Sequence, residues 1–123
     1  MNNSDLIKLL SSSNSRLFKE EVLLKEMKNK NDIFFSGMSL AYNKLLTFGV
    51  KKVPESEFDG DGIRWEEFKN LADNLVKRNL TGHAARDEIR VIMEKSFKDE
   101  WNFFFKRILQ KDMRCGLSER TIN

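Results

Sequence analysis

The sequence predicts an all-α protein, a single compact bundle of about six to seven short helices. Three observations predict it. Apolar residues recur at intervals of three and four along most of the chain. No stretch of any length alternates with the period of two that a strand requires. Six glycines and one proline in 123 residues leave few helix breakers. Ten Phe and two Trp supply bulk for one core, and a chain this long buries roughly two-thirds of its unfolded surface without help from a metal or disulfide. Residues 1–123 therefore read as one helical domain.

Taken in order, Ser4 caps a first helix carrying Leu6, Ile7, Leu9 and Leu10, and the Ser11-Ser12-Ser13-Asn14-Ser15 run ends it. A second helix runs from Arg16 to Lys28. Asn29 to Asn31 separates it from a third, Phe-rich and expected to be central, with Ile33, Phe34, Met38, Ala41, Leu45 and Phe48 and a stop at Gly49 as an αL cap. Lys51-Lys52-Val53-Pro54 and Asp59-Gly60-Asp61-Gly62 form the loop with the strongest turn chemistry. The acidic run lacks the spacing of a calcium loop, which needs a Glu at its twelfth position, so it reads as a turn leading into a helix.

The fourth helix places Trp65, Phe68, Ala72, Leu75 and Val76 on one face and ends near Asn79. Thr81 caps a fifth, with Ala85, Ile89, Ile92 and Met93 as its buried stripe. A sixth follows Ser96 or Phe97. Its apolar stripe is Trp101, Phe104, Phe105, Ile108 and Leu109, with Lys106, Arg107, Gln110 and Arg114 opposite, and Cys115-Gly116 ends it. Leu117 and Ile122 flank a Ser118 cap, so a seventh helix is expected to begin there, and the chain reads as part of something longer.

Composition bounds the function. The balance of 22 basic to 19 acidic residues, a net +3, permits an anionic partner without demanding one. The surplus sits from Trp101 onward, where Lys106, Arg107, Lys111, Arg114 and Arg120 face only Asp112 and Glu119. A single cysteine, Cys115, forms no internal disulfide and is expected to be structural, and there is no Cys/His cluster for zinc. The start, Met-Asn-Asn-Ser-Asp, has neither the basic region nor the apolar stretch of a signal peptide. A soluble, cytoplasmic protein is expected, with no membrane partner. Nothing resembles a heptad seam, and a monomer is expected.

Phosphate-loop, nucleophile-elbow, His-Glu-x-x-His and dinucleotide-binding patterns are all absent. The lone His83 has no nucleophile beside it and reads as a cap or a DNA-facing residue. Glu66-Glu67, Asp87-Glu88 and Asp99-Glu100 fall in the first turns of expected helices, where the helix dipole favours acids. No catalytic residue and no metal site is assigned.

Two similar turns remain, Lys77-Arg78-Asn79-Leu80-Thr81-Gly82-His83 and Lys111-Asp112-Met113-Arg114-Cys115-Gly116-Leu117-Ser118. Each joins basic residues to a glycine-bearing turn and a helix amino terminus, a combination that suits a phosphate. By physics alone, two ordinary helix connections fit the same features.

At these turns the sequence resembles the amino-terminal DNA-binding domain of ATP-dependent DNA ligases, of the T-even bacteriophage type. Three blocks carry the resemblance, in order, over roughly the last two-thirds of the chain. They are Leu40 to Pro54, Leu75 to Ala85 with Leu-Thr-Gly-x-Ala-Ala, and Ile108 to Asn123 with its Asp-Met-Arg-Cys-Gly-Leu-Ser core. The resemblance implies a helical domain lying over the minor groove of a nicked duplex, touching sugar and phosphate on both sides of the nick at any sequence. It implies that Thr81, Gly82 and His83, with Lys77, Arg78 and Arg86 nearby, serve one phosphate run, and that Lys111, Arg114, Gly116, Ser118 and Arg120 serve another. Lys44, Lys51 and Lys52, in the first block, are added to the set. For each of these lysines a solvated surface charge is the alternative.

The ligase family's adenylated-lysine motif, Lys-x-Asp-Gly, is missing, since neither Asp59-Gly60 nor Asp61-Gly62 has a lysine two residues ahead. The chain is therefore not expected to ligate by itself. No cofactor is expected in it, while ATP and Mg are expected for a parent ligase whose nucleotidyltransferase and OB domains are absent here. If phage-encoded, the protein would work in the host cell cytoplasm. The contrasting expectation is a helical protein-interaction module of a replication or repair protein, with Phe103 exposed beside the basic stripe as its anchor.

Overall fold

The structure, a computed structural model, describes residues 2–50 and 52–115. Among them six helices and no strand are formed. These are α1 (Asn3–Ser11), α2 (Arg16–Lys28), α3 (Asp32–Tyr42), α4 (Trp65–Val76), α5 (Gly82–Lys95) and α6. The last is continuous and compound, with an α turn Lys98–Glu100, a π-helical segment Trp101–Phe105 and an α turn Lys106–Gln110.

The helix at the centre is α6, not α3. Trp101, Phe104 and Ile108 are fully buried, with Phe105 and Leu109 nearly so. In a regular helix, neighbours such as Phe104 and Phe105 diverge by about 100° and reach different parts of the core. The segment that carries them is π-helical, closed by the Lys106 amide donating to the Trp101 carbonyl. Phe104 stacks on Phe34 of α3 with centroids 6.2 Å apart, and Phe105 stacks on Phe68 of α4 at 4.6 Å. One helix thus ties together α1, α3 and α4, while α5 packs on α4.

Local chemistry sets the helix limits. Asn2, rather than Ser4, caps α1, its side chain accepting from the Asp5 amide at 2.8 Å. Ser4 lies buried inside the first turn, its hydroxyl on Asn2 Oδ1 and its amide donating to Glu100 Oε1 at 3.1 Å. Ser15 and Asn31 cap α2 and α3 through their side chains. α3 stops at Tyr42, well short of Gly49, because the Asn43 side chain accepts from the Leu45 amide at 2.9 Å and its carbonyl accepts from Leu46 at 3.1 Å. Such Asx turns compete directly with helical bonding. α6 likewise ends at Gln110, ahead of Cys115, because Lys111 turns left-handed at φ 58°. The seventh helix expected around Ser118 lies outside the described residues.

Between α3 and α4 the described residues form no regular structure, and several of their backbone groups are bonded by other elements. Trp101 Nε1 donates to the Pro54 carbonyl at 2.8 Å. Asn102 brackets Ser56, accepting from its amide at 2.7 Å and donating to its carbonyl at 3.0 Å. The acidic run Asp59 to Gly62 works as a double cap. Asp59 Oδ1 accepts from the Lys98 amide at 2.8 Å at the start of α6, and the Gly60 and Gly62 amides donate to Ser96 and Lys95 at 2.8 Å, closing α5. Beyond this segment, Cys115 is buried, and its carbonyl accepts from the buried Lys19 Nζ at 2.9 Å.

A side chain at position 60 would place its Cβ 2.4 Å from the Glu94 carbonyl oxygen and 2.5 Å from Lys95 backbone atoms, none of which can give way. Gly60→Ala is expected to destabilise the fold by about 2 kcal/mol in urea denaturation, and an unchanged midpoint would contradict the double cap. Burial raises the Glu100 carboxyl above its ordinary value. Stability linked to this group is complete below the ordinary carboxylate range and declines as pH rises through the elevated value. Glu100→Gln keeps the acceptor for Ser4. Its urea midpoint is expected to exceed that of the parent near about pH 7 and to match it near about pH 4, and equal midpoints at both would count against the linkage.

Candidate nucleic-acid interface

An open cleft of about 720 Å³ lies between residues 49, 50 and 52–54 on one side and residues 82–90 of α5 on the other. Its floor is apolar, from Val50, Val53, Pro54, Ala85 and Ile89, and its charged or polar lining is Lys52, His83, Arg86 and Arg90. No carboxylate lines it among the described residues. None of the four polar side chains is hydrogen-bonded or ion-paired to another described residue, so they face the cleft uncommitted. The arrangement is that of a surface for an anion with an apolar face, such as a sugar-phosphate chain.

The amino terminus of α5 opens into this cleft. Thr81 sits at the cap position in extended conformation, but its hydroxyl makes no capping bond, so it and the first-turn amides are unused by the helix itself. Gly82 takes φ +55°, and a Cβ there would meet nothing within 4 Å. Its glycine character serves backbone conformation and close approach rather than packing.

Of the residues singled out from sequence, the structure brings Lys52, Gly82 and His83 together with Arg86 in the cleft, and Thr81 borders it. Lys77 is exposed at the end of α4, and Lys44 is exposed in the Asn43 turn. Arg114 is exposed, its Nε 3.7 Å from Asp112 Oδ2 and its carbonyl bonded to Ser11. Lys51, Gly116, Ser118 and Arg120 lie outside the described residues. Arg90 was not singled out from sequence, yet it stands four residues after Arg86, a spacing that puts both on one helical face.

Arg78 and Lys111 both have side-chain donors bonded to neighbouring backbone, Arg78 while exposed and Lys111 while half-buried. Arg78 Nη1 donates to the Thr47 carbonyl at 3.0 Å and the Leu75 carbonyl at 2.7 Å, and Nη2 donates to Thr47 Oγ1 at 2.8 Å. Gly49, at φ +72°, makes room for that guanidinium, whose Cζ would lie 3.0 Å from any Cβ. Lys111 Nζ donates to the carbonyls of Asn43 and Leu46 and sits 6.0 Å above the Phe48 ring. Burial lowers its ammonium below the ordinary value. Cations at helix ends bond exposed carbonyls readily, a signal that was available in the sequence.

Phe103 is also not the exposed anchor expected. It is half-buried between Lys8 Nζ at 4.5 Å and the Arg107 guanidinium at 4.9 Å from its ring centre.

The chain is similar to two solved structures with ligase names. Pmar-Lig_Pre matches over all of this chain and 29% of its own, at 46% identity and a TM-score of 0.97. Pmar-Lig_PreS3 matches over the same shares at 47% identity and a TM-score of 0.96. The chain thus spans less than a third of the length of these structures. No family model matches it, and no curated protein does. No helix among the described residues is long and apolar enough to cross a membrane.

Because Arg78 and Lys111 both adopt left-handed backbone, at φ 61° and 58°, glycine can replace either without backbone strain. In Arg78→Gly or Lys111→Gly, amide exchange at Leu45 and Leu46 is expected to speed up about tenfold while the α6 core stays protected. Unchanged exchange in both variants would contradict these roles.

Proposed function

We propose that the chain is the DNA-binding part of an ATP-dependent DNA ligase, which holds nicked duplex DNA at any sequence through sugar-phosphate contacts across the minor groove. The observation that carries this reading is the cleft at the start of α5, whose charged lining is cationic and uncommitted over an apolar floor. The match to ligase-named structures over the whole chain supports it. So does the three-block resemblance, two blocks of which contribute residues to opposite sides of that cleft.

In this reading Thr81, Gly82 and His83 offer backbone and side-chain donors to one phosphate run, with Lys52, Arg86 and Arg90 around it and Lys77 beside it. Lys44, Lys51, Arg114, Gly116, Ser118 and Arg120 complete the proposed surface toward the second run. A nonspecific grip suits an enzyme that must close breaks wherever they arise in replication, repair or recombination. ATP and magnesium belong to the catalytic core of the same polypeptide, which would face the nick from the opposite side, because Lys-x-Asp-Gly occurs nowhere in the 123 residues. The protein would act as a monomer in the cytoplasm.

A second reading, a helical protein-interaction module, is favoured by Leu17, Leu24 and Met27, which are exposed along α2. It predicts little duplex affinity.

Fluorescence anisotropy with nicked, intact and single-stranded DNA at several salt concentrations separates the two. Duplex affinity is expected to fall with log salt at about 0.9 per phosphate neutralised. Arg86→Ala and Lys52→Ala are each expected to weaken all sequences equally and lower that slope by about one. Duplex binding with the parental slope in both variants would remove the cleft from the interface.

A further inference from the structure

Leu45 is 92% exposed, more than any other large apolar residue described. It stands at the crest of a loop that is unusually well held. The Asn43 side chain fixes the Leu45 amide at 2.9 Å, and Lys111 bonds the carbonyls of Asn43 and Leu46. Arg78 holds both the carbonyl and the hydroxyl of Thr47. Phe48 is buried beneath, and Leu46 is half-buried. The two holding cations come from the two turns already singled out, and both adopt the left-handed conformation uncommon outside glycine. Residues kept in such a conformation, where glycine would be unstrained, point to a use for their side chains.

An exposed leucine on a mobile loop needs no explanation. One fixed in place by three side chains, on a segment that runs straight into the cleft wall, is different. Residues 43–54 contain three lysines and no acid, so the segment as a whole suits a polyanion rather than a neutral protein surface. Proteins that work in the minor groove commonly press an apolar side chain against deoxyribose or between base steps, where cations alone supply no such contact.

Building on the DNA-binding reading, we propose that Leu45 is an apolar wedge that enters the minor groove, and that Arg78 and Lys111 are the positioning residues that hold its loop rigid. Lys44 and Lys77 would bracket the wedge with phosphate contacts, and the cleft would take the backbone beyond it.

The test is Leu45→Ala in anisotropy titrations on nicked duplex across salt, with 2-aminopurine placed in the bound duplex to report unstacking. Leu45 is exposed, so the substitution leaves the core intact. Affinity is expected to fall roughly tenfold with no change in salt slope, because a lost apolar contact releases no counterion. The 2-aminopurine signal gained with the parent should be lost. Arg78→Gly should reproduce both effects in weaker form, through the loop. If the parent binds with a steep salt slope and Leu45→Ala binds within about twofold of it, the wedge is overturned while the DNA-binding reading stands. A lowered slope in Leu45→Ala overturns it equally. If the parent shows no salt-dependent duplex binding, the DNA-binding reading fails and the wedge fails with it.

Discussion

Much of the backbone between α3 and α4 is satisfied by groups on other elements, and most of the architecture follows from how that is done. Twenty-two residues separate α3 from α4, and the described ones among them form no helix or strand. A connection of that length inside a small domain is uncommon, and each buried amide or carbonyl along it needs a partner. Trp101 and Asn102 on α6 bond its middle, the α5 to α6 junction bonds its glycines, and Lys111 and Arg78 bond its beginning. This explains why α6 is both the most buried helix and the one whose ends carry polar work. It also explains why Arg78 and Lys111 are bonded to backbone carbonyls: a carbonyl at a helix end is itself a small anionic site.

Charge is separated along α5 more than the net value suggests. The amino end borders a cleft lined by Lys52, His83, Arg86 and Arg90, whereas the carboxyl end is closed by a loop carrying Asp59 and Asp61. The helix dipole has the same sense, positive at the cleft. A chain with a net charge of +3 thus presents one face suited to a polyanion, and the acids serve as helix caps or surface partners elsewhere.

Much of this was legible in the sequence where local rules act alone. The bounds of α2 follow from Ser15 and from the Asn29 to Asn31 break. The buried stripe of α6 follows from the spacing of its aromatics. Legibility failed where two rules compete. Asn43 can cap a turn or sit in a helix, and only the carbonyl demands of the following loop decide for the turn. Phe104 and Phe105 both read as core and are buried, but the π segment that carries them has no simple sequence signature. In the cleft, Gly82 and His83 followed from the turn, and Arg86 and Lys52 from the resemblance. Arg90 was overlooked despite its spacing from Arg86. Arg78 and Lys111 were read for their charge, when their position at helix ends was the stronger clue.

The interface is tested most directly by hydrogen exchange of the chain with and without a saturating nicked duplex. Protection of residues 44–54 and 77–90, extending to the segment from Arg114 onward, is the predicted result, with the α2 amides unaffected. Protection centred on α2, with none along the cleft, would contradict it.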